Sequence, residues 1–104
     1  MTEPDATPAH HLEDVWVIQA TYGPDALELR APVRPQHLAR LARLKAEGTV
    51  IEVGGFHDMS GSLLIVRADS EAAAIEIARQ DVYMQEGVWV ELRARPFGRL
   101  TLDD

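Results

Sequence analysis

The sequence predicts an α+β domain with a ferredoxin-like βαββαβ order: a four-stranded antiparallel sheet with both helices on one face. Three observations carry that reading. Four segments rich in β-branched and aromatic residues alternate with two stretches of helical periodicity. The second and third β-rich segments are separated only by the turn HDMSG (57–61), which makes them a hairpin. The strands are apolar on both parities, so the face without helices is also expected to be buried, against a second copy.

The elements follow in order. Residues 1–13 hold two prolines and scattered acids without periodicity, and are expected to form a mobile tail. His10 and His11 fall there, with no carboxylate framework for a metal around them. DVWVIQATY (14–22) reads as the first strand. The proline-rich GPDALELRAPVRP (23–35) reads as a loop with a short turn at DALEL. From Pro35 to Glu47, Leu38, Leu41 and Leu44 recur at helical spacing, with Arg40, Arg43 and Lys45 around the remainder. Proline suits the first helical turn and Gly48 its stop. TVIEVGGF (49–56) and SLLIVRA (62–68) are the hairpin strands. Asp69 or Ser70 caps a second helix, EAAAIEIARQ (71–80). DVYMQEG (81–87) is a connector with room for one helical turn, VWVELRARPF (88–97) is the fourth strand, and 99–104 is expected as a terminal tail. The folded domain is placed at 14–98.

The chain has 104 residues, enough for one domain with a core. Its net charge of −7 argues against nucleic acid or an anionic membrane as partner, because both demand a concentrated basic surface. With no cysteine, disulfides and thiolate chemistry are excluded. No apolar run approaches the ~20 residues a membrane span needs. The acidic first residues lack the basic and apolar regions of a secretory signal, so a cytoplasmic protein is expected. Neither a dinucleotide nor a phosphate loop is present, and no convincing zinc set appears, so no cofactor and no metal are expected.

Val15 to Ile18, Leu63 to Val66 and Val88 to Val90 run apolar without alternation. A small domain with two apolar sheet faces needs a partner, so a homodimer through the sheet faces is expected, hiding roughly 1,200–2,000 Å².

One candidate site stands out. His37 lies in the first turn of the first long helix, four residues before Leu41 and so beside the buried stripe. Shielding and the helix N-terminus both favour a neutral imidazole, which accepts a proton. Arg34 and Arg30 bring positive charge to an end that is already positive, which makes sense if an anion sits there, either a protein carboxylate or an acidic group of a ligand. Asp81, just past the second helix, is the strongest carboxylate candidate. In this topology the start of one helix and the end of its neighbour can lie at the same end of the domain. Spacing alone does not establish the contact.

The pattern Arg30, Arg34, Pro35, His37, Leu38, Leu41, Leu44 and Gly48 resembles the YciI-like (YCII-related) family. So do Gly54–Gly55, the strand opening Gly61–Ser62, the block Asp81, Tyr83, Gly87, Val88, and Arg95–Pro96–Phe97. The resemblance runs from about residue 15 to 98. It implies a ferredoxin-like fold, dimeric α+β barrels, and a His–Asp pair in a pocket serving acid–base chemistry, with His37 and Asp81 in the matching positions. One departure is Val82, where the family usually has proline. That loss is expected to loosen the aim of Asp81.

Other residues carry weaker signals. Ser62 can line a pocket through its hydroxyl, but no nucleophile elbow surrounds it. Tyr83 either donates to a substrate oxygen or packs under the connector. Gly54 and Gly55 either admit a ligand to the backbone or form a bulge. His57–Asp58 sits in a turn, and Trp16 and Trp89 read as core or dimer interface. The expected function is cofactor-independent proton-transfer chemistry (elimination, isomerisation or hydrolysis) on a small anionic or phenolic molecule. The alternatives are a metabolite-binding domain without chemistry and a cofactor-independent oxygenase.

Overall fold

The computed structural model describes residues 6–103. Strand β1 (His10–Tyr22) leads into a short helix α1 (Ala26–Arg30) and the long helix α2 (Arg34–Glu47). The hairpin β2 (Val50–Gly55) and β3 (Gly61–Val66) follows. Helix α3 (Glu71–Arg79), the single turn α4 (Val82–Gln85) and the long strand β4 (Trp89–Leu102) complete the chain. The four strands form one antiparallel sheet in the order β2-β3-β1-β4. This is the ferredoxin-like α+β arrangement expected.

Alternation along the strands sorts the side chains onto two faces. Ile18, Ala20, Leu64, Val66 and Val50 meet the helices and pack with Leu41, Ala74, Ala78, Val88 and Trp89. Ala74 and Ala78 are fully buried, and their small side chains let α3 lie close on the sheet. The local signals behave as their chemistry dictates. Ser70 caps α3 by accepting from Ala73 N–H at 3.1 Å. Gly48 ends α2 at φ 85°, in the left-handed region that glycine enters without strain. Gly61 is required for a different reason: a Cβ there would stand 2.1 Å from the Ala20 carbonyl oxygen across the β1–β3 ladder.

The opposite face carries Val15, Val17, Leu63, Ile65 and Phe97; Val15 and Val17 are buried, Leu63 and Ile65 are partly buried, Phe97 is exposed, and among the described residues no helix is packed there. Around this apolar centre stand Arg93, Arg95 and Arg99, together with Glu13, which pairs with both Arg67 and Arg99 (the latter at 3.0 Å).

Two expectations need correction. Residues 10–13 and 99–102 are not tails. They form a two-stranded ribbon in which Leu12 faces Leu100 and Glu13 faces Arg99. The ribbon explains a radius of gyration of 16.6 Å, against roughly 13 Å for a compact chain of this length. Its pairing rests on cross-strand partners remote in sequence, among them His11 with Asp103 at 2.5 Å, and no short window contains both. Residues 6–9 carry no regular structure, while residues 1–5 and 104 of the expected tails lie outside the described residues. Where a short turn is expected at DALEL, a five-residue helix runs over Ala26–Arg30 with Asp25 at its N-cap. Among the described residues no helix is long and apolar enough to cross a membrane.

Candidate active site

Helix α2 starts beside the end of β1, and α3 runs back so that its last turn delivers Asp81 to the same end. His37 and Asp81, 44 residues apart, meet there: His37 Nδ1 lies 2.6 Å from Asp81 Oδ1. Both are buried, Asp81 completely. Asp81 also caps α4, its Oδ1 accepting from Tyr83 N–H at 2.9 Å. Its other oxygen accepts from Arg40 Nη1 at 3.1 Å, while Arg40 Nη2 donates to the Ile77 carbonyl at 2.7 Å.

These partners decide the state of the carboxyl. Burial pushes the Asp81 pKa up. Hydrogen bonds from His37, from Tyr83 N–H and from Arg40, with the charge of His37, outweigh burial and hold it below the usual carboxylate range. An ionised carboxylate only accepts, so the nitrogen facing it, Nδ1, carries the hydrogen. In the neutral ring, Nε2 is then the basic nitrogen. Among the described residues no buried side-chain nitrogen or oxygen lacks a partner. Nε2 has no hydrogen-bond partner among the described residues, and its ring lines the cavity.

The ring is also held against rotation. Tyr83 stacks on the imidazole with centroids 3.5 Å apart and planes 5° from parallel. Trp89 meets it edge-on at 5.4 Å and 86°. With Asp81 fixing the in-plane direction, the imidazole has little freedom left. Such preorganisation is what positioned proton transfer requires.

The cavity has a volume of about 260 Å³, just below the roughly 300–1,000 Å³ usual for ligand sites. Arg30 and Arg34 bring positive charge to it, while Lys45 on the same wall is paired with Glu52 at 3.0 Å. Tyr22, Tyr83 and Ser62 bring hydroxyls, and Leu38, Leu41 and Val53 apolar wall. Among the described residues no carboxylate lines it. On a chain of net charge −7 this is a local positive island, able to concentrate a small anion. Burial raises the Tyr83 pKa, reinforced by the neighbouring Tyr22 and opposed by Arg34 and Arg30, so its phenol keeps its proton and remains a donor. Ser62 is buried and accepts from Trp89 Nε1 at 3.3 Å.

The structure brings together every residue singled out for the site: His37 and Asp81 in contact, and Arg30, Arg34, Ser62 and Tyr83 around the same cavity. Gly54 and Gly55 line it too, with open space where a Gly54 Cβ would stand, and the register shift of the hairpin falls between Val50 and Glu52 instead. Three readings change. Leu38 is not core: it is about half exposed and forms cavity wall. Val82 does not loosen Asp81, whose φ of −72° and ψ of 143° are already the extended geometry that a following proline would favour. Val82 itself is buried in the core. Arg40, placed with the polar side of the helix, is a partner of Asp81. Its i,i+3 spacing from His37 was the available signal. His57 and Asp58 stay in an exposed turn, where Asp58 accepts from Ser60 N–H at 2.9 Å.

A four-stranded ferredoxin-like sheet with a His–Asp pair beside a cavity lined by arginines is the architecture of a small α+β domain with one candidate site. The chain belongs to the YCII-related domain family, whose sequence profile matches residues 15–98. An uncharacterized protein of Haemophilus influenzae is 35% identical over 98 residues, covering 82% of this chain and 97% of the relative. Protein YciI of Escherichia coli is 34% identical over 96 residues, covering 83% and 98%. Among solved structures, 5-chloro-2-hydroxyhydroquinone dehydrochlorinase (TftG) from Burkholderia phenoliruptrix, in complex with 2,5-dihydroxybenzoquinone, superimposes with a TM-score of 0.64 at 24% identity. It covers 78% of this chain and 90% of that one. At that identity the likeness shows the fold.

Proposed function

We propose that this chain is a small-molecule enzyme working by acid–base chemistry without a cofactor, with His37 as the proton-transferring group. The observation that supports it most is the division of the imidazole: Nδ1 is committed to a buried, ionised carboxylate, and Nε2 is unpaired among the described residues, on a ring that lines the cavity. A base so placed takes a proton from a bound acid, and the imidazolium formed is stabilised by Asp81. Arg34 and Arg30 hold the acidic group of the ligand, and Tyr83 and Ser62 donate to its oxygens. The substrate class is a small anionic or phenolic molecule. Elimination is placed first among elimination, isomerisation and hydrolysis. The base removes a proton from carbon, the electron pair forms the new double bond, and the leaving group departs with its own pair. The fold neighbour is named a dehydrochlorinase, and loss of HCl is an elimination. The expected setting is the cytoplasm.

The test is a turnover screen of halogenated and hydroxylated single-ring acids and phenols, with the His37→Gln variant as control. Product formation that disappears in the variant supports the enzyme. Binding without any product favours a metabolite-binding domain, and oxygen uptake with a polyphenol favours an oxygenase.

The same proposal includes a homodimer through the open sheet face. Val17, Leu63, Ile65 and Phe97 make its apolar centre, with the arginines and Glu13 as a polar rim. Sedimentation at micromolar concentration is expected to give twice the 11.5 kDa of one chain. Ile65→Glu is expected to shift it to the monomer. A monomeric parent chain contradicts the assembly.

A further inference from the structure

We propose that Tyr22, steadied by Arg30, is a further ligand-binding residue of this cavity. The pair makes the site selective for a single-ring ligand carrying an anionic oxygen, a carboxylate or phenolate, in addition to the group that reacts. The inference deepens the proposed function and takes from it only that the ligand sits beside His37.

The cavity is lined by hydrogen-bond donors. Among the described residues its lining holds no carboxylate and no carboxamide. Two of its hydroxyls already accept one hydrogen bond each and keep their O–H free to donate. The Ser62 oxygen accepts from Trp89, and the Tyr22 oxygen accepts from Arg30 Nη1 at 3.4 Å. A hydroxyl whose lone pair faces an N–H turns its own hydrogen elsewhere, and Tyr22 lines the cavity. Tyr83, edge-on to Tyr22 with centroids 6.5 Å apart, remains a protonated phenol.

Arg30 is not saturated. Its contact with Tyr22 is long, its guanidinium carbon lies 5.9 Å from the Tyr22 ring centroid, and among the described residues it makes no other side-chain hydrogen bond. Four of its five N–H donors are therefore unspent. One ligand oxygen can receive both the Tyr22 O–H and an Arg30 N–H, and a charge-assisted pair of this kind is stronger than either neutral contact. Among the described lining residues a ligand's ammonium group finds no carboxylate, and Glu52, which is off the lining, is already paired with Lys45 at 3.0 Å.

Calorimetric titration with 2,5-dihydroxybenzoate, 1,4-hydroquinone and 2,5-dihydroxybenzylamine tests this on the full-length chain, since the three share a ring and differ in one substituent. The benzoate is expected to bind at least about ten-fold more tightly than the hydroquinone, and the amine more weakly than both. Tyr22→Phe and Arg30→Gln are each expected to reduce that preference by about ten-fold. The double variant is expected to lose less than the product of the two, because both act on one oxygen. An amine that binds as well as the acid, a preference unchanged in Tyr22→Phe, or no binding of any of the three to the parent chain overturns the proposal. A preserved acid preference with no turnover on any substrate would instead sink the enzyme reading and leave this one standing.

Discussion

His37→Gln is expected to lower turnover by about 10²–10⁴-fold, the range that a positioned general acid–base supplies, while the chain stays folded. Glutamine can still donate to Asp81 from its amide, so the buried carboxylate keeps a partner where Nδ1 now lies at 2.6 Å. It has no basic nitrogen, so proton transfer is lost and binding is largely retained. The informative readout is the split: kcat falls steeply while KM changes little, because Arg30, Arg34, Tyr83 and Ser62 remain in the cavity. Full retained activity in this variant would end the proposed mechanism.

Asp81 variants are expected to have the largest effect on stability. Asp81→Ala removes the acceptor from His37, Arg40 and Tyr83 N–H together, leaves Arg40 without its carboxylate partner, and takes away the cap of α4. Breaking a buried pair from one side costs about 3–5 kcal/mol, a large share of the ~5–15 kcal/mol that holds a typical domain together. Asp81→Asn keeps an acceptor for the Tyr83 N–H and is expected to cost less stability. It no longer enforces the Nδ1–H tautomer and is expected to lower turnover by about 10²–10⁴-fold. The pH dependence has a definite sign. The folded Asp81 pKa lies below its unfolded value of about 3.9. Its contribution is therefore fully present above about pH 4 and is lost as pH falls through the lower, folded value. Urea unfolding of the parent is expected to lose more stability on acidification through that window than Asp81→Asn does. Equal losses would show that the carboxylate is not ionised in the fold.

The topology was readable because each element announces itself locally. Leu41 and Leu44 give a helical period, Ser70 a cap, Gly48 a stop, and the β-rich segments their strands. The His37–Asp81 contact was readable at one remove: once the element order is accepted, the start of α2 and the residue after α3 share an end of the sheet. What escaped was information held in no single window. Arg40 looks like any polar helix residue until Asp81 lies opposite it. Leu38 shares the spacing of Leu41, but only the position of β2 shows that it faces a cavity rather than the core. Tyr22 ends a strand and acquires its meaning from Arg30, eight residues and a helix later. The ribbon of residues 10–13 with 99–102 is stabilised by Glu13, Arg99 and Arg67, which are polar, distant in sequence and silent as a pattern.

Nitrogen NMR of the His37 ring, recorded where it is neutral and repeated with 2,5-dihydroxybenzoate, reads the division of the imidazole itself. The hydrogen is expected on Nδ1, with a bare Nε2 whose resonance moves when the ligand is added. A ring protonated on Nε2 instead, or an Nε2 indifferent to the ligand, would contradict the account.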